Sequence, residues 1–208
     1  DQWEEVEAAT KKGLPKTAIE KLNPLIDRAL KEKAHAVAIR AIAQKINLEG
    51  AIQGNKPEEK ITRMEAEMAK APKEIVPMMN AVLAHWYWQY FQRERWRFMR
   101  RTQSAEPPGK DFTTWDLPRI FAEIDKHIVT SLADAETLKK TPVGDYDELL
   151  AKGNVADKYR PTMYDFLAYE ALSFYSSGEQ AARSEERRVG KECRTRWAPE
   201  PEKKKTQQ

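Results

Sequence analysis

Residues 81–102 read AVLAHWYWQYFQRERWRFMRRT. Trp86, Trp88 and Trp96, three of the chain's six tryptophans, fall here among Tyr87, Tyr90, Phe91 and Phe98. With Met79 just upstream, Leu83, Trp86 and Tyr90 recur at helical spacing and draw one face of an α-helix. Tyr87 and Phe91 widen that face, while Val82 and Trp88 carry apolar surface onto the others. His85, Gln89 and Gln92 leave only a polar seam. A helix apolar on nearly every side is a buried helix, and each large aromatic buries on the order of 150–250 Å². The stretch therefore predicts the centre of an all-α domain. Its core is expected to hold Leu83, Trp86, Tyr87, Tyr90 and Phe91, joined by Phe121, Phe166 and Leu167 from later helices. A membrane span is excluded: the apolar run is about half the ~20 residues a bilayer needs, and it closes on Arg93, Arg95, Arg97, Arg100 and Arg101.

Upstream, Asp1 to Lys12 reads as a helix using Trp3 and Val6, stopped by Gly13, Leu14 and Pro15. Pro15 to Lys33 carries Ala18, Ile19, Leu22, Leu25, Ile26, Ala29 and Leu30 on one stripe, with a kink expected at Pro24. Ala34 to Gln53 follows, and a connection this short makes an antiparallel hairpin. Gly54 to Pro57 is a turn, and Glu58 to Ala71 an amphipathic helix using Ile61, Met64 and Met68. Pro72 and Pro77 bracket the approach to the central helix.

Downstream, residues 103–111 read as a loop containing Pro107, Pro108 and Gly109. Asp116 is an expected N-cap with Pro118 in the first turn, opening a helix predicted from Leu117 to Lys140. A short helix is predicted from Val143 to Gly153. Thr162 and Asp165 have capping-box spacing and open a last helix to about Tyr175. The fold expected is all-α, an irregular antiparallel multi-helix domain over 1–180, with a tail over 181–208 and no strand.

Of 36 basic and 33 acidic residues, nine and five lie beyond Ala182, so residues 1–182 carry a net charge of −1. The basic balance of the chain belongs to its tail and does not argue for nucleic acid. Cys193 is the single cysteine. That excludes an internal disulfide and a thiolate metal site.

Several constellations carry chemistry when met in other settings. The arginines from Arg93 to Arg101, with Trp96 and Phe98 as stacking platforms, suit phosphate or nucleic acid. The alternative, favoured by the net charge, is a helix C-terminus whose cations complement the dipole. Glu123 and His127 share one helix side but lack the further ligands a metal site needs, so a solvated pair is expected. His85 has no marked nucleophile beside it and reads as a seam residue rather than a general base. Arg97, Arg100, Arg101 and Trp115 are assigned to a docking surface. For Trp115 the alternative is an aromatic that packs back on the core beside the Asp116 cap. Asp145, Asp147 and Glu148 lack the glycine and spacing of a calcium loop. No catalytic residue, metal or cofactor is called for.

Gly13, Ala18, Leu22 and Ala29 are similar to the small and apolar positions of tetratricopeptide helix pairs, although no second copy follows at a fixed period. A larger resemblance rests on the order of four motifs. They are Gly13-Leu14-Pro15-Lys16-Thr17-Ala18, then Arg95-Trp96-Arg97 with Arg101-Thr102, then Thr114-Trp115-Asp116, and last Arg160-Pro161-Thr162-Met163-Tyr164-Asp165-Phe166-Leu167-Ala168. In this order, over Trp3 to Tyr175, the chain resembles the N-terminal helical region of bacterial alpha-2-macroglobulin family proteins. The resemblance implies a non-catalytic scaffold ahead of β-sandwich domains, in an endopeptidase inhibitor of the periplasm, cell envelope or secreted space. Target proteases are engaged indirectly, by a bait segment and often a thioester. Neither is in this chain. The family's thioester needs Cys-x-Glu-Gln, and Cys193 is followed by Arg194, Thr195 and Arg196. The alternative is a stand-alone tetratricopeptide-like module that binds a protein or peptide.

The tail is read separately. Residues Arg183 to Arg194, with Trp197 and Pro199, resemble the translation of a sequencing-library adapter, from which Thr195 and Ala198 depart. The competing reading is a natural basic tail, polar and proline-broken from Glu200 to Gln208.

Overall fold

A computed structural model describes residues 2–54, 56–100, 109–151 and 156–177. Residues 1–168 make one compact unit and 169–208 a second, of which 169–177 are described. The predicted tail, including Cys193, and Arg101 lie outside the described residues.

The fold is all-α. Eight helices are present among the described residues: α1 (Gln2–Lys11), α2 (Pro15–Lys31), α3 (His35–Ile52), α4 (Pro57–Met68), α5 (Val76–Arg100), α6 (Leu117–Ser131), α7 (Ala135–Lys140) and α8 (Met163–Tyr175). Short 3₁₀ turns occupy Phe112–Thr114, Val143–Tyr146 and Asp157–Tyr159. No strand occurs among the described residues; Pro142 and Thr162 form one isolated antiparallel bridge. In the first unit each helix from α2 to α6 packs on its predecessor in sequence.

Two tight reversals start the chain, and both use a left-handed residue. A helix end leaves carbonyls without partners, and one residue at positive φ swings the following N–H back to meet them. After α1 that residue is Gly13, at φ +69°, and Leu14 N–H donates to the Ala9 carbonyl at 3.0 Å. After α2 it is Lys33, at φ +58°, and Ala34 N–H donates to the Ala29 carbonyl at 2.8 Å. Helix α2 therefore ends at Lys31, short of the predicted Lys33. It runs through Pro24, whose missing N–H lies on the exposed side, beside an exposed Glu20. Val6, Ala9, Ala18, Leu22, Leu25, Ala41 and Leu48 close one core cluster between α1, α2 and α3, with Trp3, Ile19, Ile26 and Val37 packed against it. Arg40 lies 4.1 Å from the Trp3 ring centre and donates to Glu148 at 2.6 Å, tying α1 and α3 to the segment after the second 3₁₀ turn.

Helix α5 begins at Val76, five residues before the predicted start. Pro77 occupies its first turn, where an N–H has no acceptor to lose. The buried seam runs through Met79, Leu83, Tyr87, Tyr90, Phe91 and Phe98. Trp86, expected in the core, is only half-buried. It stands one position short of the seam, so Tyr87 takes the interior place and Trp86 turns toward α4. Phe91 meets Phe121 of α6 edge-on at 4.9 Å, and Tyr90 meets Phe98 at 6.0 Å. Leu167 is buried, whereas Phe166 is half-buried, with the Arg160 guanidinium 5.8 Å from its ring centre.

The helix predicted from Leu117 to Lys140 is two helices. Asp134 caps the second, its carboxylate accepting from Thr137 N–H at 3.2 Å. A short acidic side chain that satisfies backbone N–H groups locally competes with continuing the helix. The short helix predicted after Val143 is a single 3₁₀ turn, with Leu149 and Leu150 N–H both at 2.9 Å from the Tyr146 carbonyl. The Thr162–Asp165 capping box forms: Asp165 N–H donates to Thr162 Oγ1 at 3.2 Å, and Thr162 N–H returns to the Asp165 carboxylate at 3.1 Å. No helix of the described residues is long and apolar enough to cross a membrane.

Candidate functional site

Polar groups buried in a helical core must find partners or cost stability. In the first unit they gather at the α5–α6 seam. Asn80, Glu123, His127 and Ser131 are all buried. Glu123, His127 and Ser131 follow one another at four-residue intervals on α6. They are not the solvated pair expected of Glu123 and His127, because the amphipathic register of α6 turns that face onto α5.

Each group's role follows from its partners. Asn80 Nδ2 donates to the Val76 carbonyl at 2.9 Å, so its Oδ1 faces the other way. His127 Nδ1 lies 2.7 Å from that oxygen and must carry the proton. His127 Nε2 is then a lone pair when the ring is neutral, 3.5 Å from Glu123 Oε1. Burial lowers the His127 pKa to about 4, more than the Glu123 carboxylate restores. Burial alone would raise the Glu123 pKa. It is outweighed by Lys126, which donates at 2.8 Å, and by Arg119 at 2.9 Å, and the carboxyl is held below its ordinary value. Tyr87 lies over this cluster, its ring stacked on His127 at 5.6 Å and on Trp115 at 6.3 Å. Its hydroxyl donates to Glu65 of α4 at 2.8 Å, and burial first, then that carboxylate, raises its pKa.

Trp115, assigned by sequence to a docking surface or to the core, is a core residue at 4% exposure. Its indole N–H donates to the Gly109 carbonyl at 2.6 Å, and Arg119 lies 4.2 Å from its ring centre. Its one donor is thus satisfied, and its ring packs against Tyr87 and Arg119. Arg97 and Arg100 are exposed at the end of α5, together with Trp96 and Met99. Arg97 pairs with Glu94 at 3.2 Å. His85 is exposed and shares a 2.9 Å hydrogen bond with Gln89. Among the described residues no group of histidine, cysteine and carboxylate side chains is arranged to hold a metal ion.

Two concavities open on the surface of the first unit. One, of about 320 Å³, lies between α2, α3 and the end of α4. Asp27 and Glu67 face Lys45 and Lys70 around it, so its charges balance. The other, of about 480 Å³, is walled by Asn47 of α3, Pro57, Lys60 and Ile61 of α4, and Trp86, Gln89, Tyr90 and Arg93 of α5. Its wall holds two cations, two amides and two aromatic side chains, and no carboxylate. Sequence reasoning missed this groove. Its signal was the offset of Trp86, Gln89 and Arg93 from the buried seam, at spacings of three and four.

No family model, no curated protein and no solved structure matches this chain.

Proposed function

We propose that this chain is a non-catalytic helical scaffold region of a bacterial alpha-2-macroglobulin-like protease inhibitor, working at the cell envelope, in the periplasm or outside the cell. Its partners in this reading are β-sandwich domains of a longer protein, and target proteases are engaged through other parts of that protein. Support comes from the ordered motifs. Several stand where a helix starts or stops: Gly13 at the first reversal, Asp116 as the cap of α6, Thr162 and Asp165 as the box that opens α8.

The observation that carries the reading is on α8. Tyr169, Leu172 and Tyr175 recur every three residues and are 53%, 61% and 42% exposed. Large apolar side chains set in a row on one helix face suit packing against another folded body. A following domain supplies that body. The test is to express the longer protein from its genomic reading frame and label Leu172→Cys with a maleimide. Slow labelling in the long protein and fast labelling in residues 1–182 are expected, with protease-triggered compaction of the long form. Equal labelling in both, or a frame that closes at Gln208, would remove this reading.

A second reading, a tetratricopeptide-like peptide-binding module, is favoured by the groove beside Trp86. In it, sequential helix pairs with short reversals around the aromatic helix α5 present a concave wall to an extended partner.

A further inference from the structure

The charge of the 480 Å³ groove is one-sided. Several described cations elsewhere are held in ion pairs. Arg63 is shared by Glu49, Glu59 and Gln53, Lys21 pairs with Glu5, and Arg119 and Lys126 hold Glu123. Lys60 and Arg93 stand together on the groove wall. Neither pairs with any carboxylate of the described residues. Glu49 of α3 and Glu59 of α4 are engaged by Arg63 instead. The Lys60 stem lies along Gly50, whose missing side chain leaves that side of α3 open. A long cationic side chain laid on an apolar wall keeps its charged head forward.

Between the two cations the wall is adhesive but neutral. Trp86 is half-buried, with room for contact on its outer part, and Asn47 and Gln89 offer amides that both donate and accept. A volume of this size lies within the range of sites that hold a small ligand or a few residues of a peptide, roughly 300–1,000 Å³. We propose that this groove binds an acidic peptide segment of a partner protein, its carboxylates paired with Lys60 and Arg93 and an apolar side chain against Trp86. The proposal deepens the peptide-binding reading and rests on it. Single-stranded nucleic acid also stacks on tryptophan and pairs with cations. Two cations, on a body whose residues 1–182 carry a net charge of −1, give it far less electrostatic hold than a nucleic-acid channel has.

The experiment is to pan a random heptapeptide phage library against residues 1–182. The strongest binders are then measured by fluorescence anisotropy on the wild type, Trp86→Ala, the double variant Lys60→Glu/Arg93→Glu, and Lys73→Glu. Lys73 is exposed and outside the groove, and serves as a control for bulk charge. Expected are binders enriched in Asp and Glu, weakened by about tenfold or more in the double variant, by less in Lys73→Glu, and by added salt. Circular dichroism melts confirm that each variant is folded. Binders lost in Trp86→Ala but without acidic enrichment would overturn the ligand chemistry and leave the peptide-binding reading. No binders, or binders indifferent to all four positions, would overturn both. A labelled oligothymidine that outcompetes the peptides and depends on Lys60 and Arg93 would assign the groove to nucleic acid instead.

Discussion

His127 donates its Nδ1 proton to the side-chain oxygen of Asn80, 2.7 Å away and 47 residues earlier in the chain. That bond fixes the tautomer of a buried imidazole and couples α5 to α6 through something more directional than apolar contact. It also leaves the other ring nitrogen beside a carboxylate with which it can bond only when protonated.

Acid should therefore loosen the first unit. The His127 pKa falls from 6.5 to about 4 on folding, so the unfolded chain takes up the proton more readily. Its contribution to stability is complete above pH 6.5 and is lost as the pH falls through 4. Full loss amounts to about 3 kcal/mol. Glu123, held below its ordinary value, acts in the same direction at lower pH. The check is the melting temperature between pH 7 and pH 4. His127→Gln should show a shallower decline than the wild type across that window, and an identical slope would contradict the assignment.

Truncation should separate the two neighbours Tyr87 and Trp86. Tyr87 is 1% exposed and touches His127, Trp115 and Phe112, so Tyr87→Ala is expected to cost about 3–5 kcal/mol. Trp86→Ala lies at the groove wall and should cost less than about 2 kcal/mol. Urea titrations of the two variants would decide, and a larger loss for Trp86→Ala would refute the seam described above. Tyr87→Phe keeps the ring but removes the hydroxyl that donates to Glu65, at a cost of about 1 kcal/mol.

Loss of a cap should be felt at α6. The Asp116 carboxylate accepts from Arg119 N–H at 2.9 Å, so Asp116→Ala should lower stability by about 1 kcal/mol while Asp116→Asn retains most of it. Thermal melts of the pair measure this, and equal losses would show that charge rather than capping geometry matters.

Lys33 should tolerate, and gain from, glycine. At φ +58° a side chain is disfavoured, and Lys33→Gly should raise stability by about 1 kcal/mol despite the entropy of the unfolded glycine. Gly13→Ala, at φ +69°, should lower it by a similar amount. Chemical denaturation of both variants tests whether the two reversals are equivalent.

Some of this was legible in the chain. Helical spacing of apolar residues is a local property, so the helices and their approximate order could be read from it. Gly13 and Asp116 announced themselves because only certain residues suit a left-handed turn or an N-cap. Lys33 did not, since nothing in a lysine signals positive φ. The break at Asp134 was hidden inside an apolar pattern that continued to Leu138. On α5, periodicity placed a face to within about one residue, and that residue is the difference between Trp86 and Tyr87.

The amino-acid sequence by itself determined an all-α chain with a long aromatic helix, because hydrophobic period and capping chemistry act over a few residues. It also determined that residues 1–182 carry almost no net charge. Only the tertiary structure decided which side chains share a space. Asn80 and His127 are unremarkable on their own helices, and their bond exists because α5 and α6 pack in one rotational setting. The groove holding Lys60 and Arg93 arises likewise, since its wall is assembled from α3, α4 and α5. Contacts between helices depend on angles that no local pattern encodes, and this surface chemistry is made of such contacts.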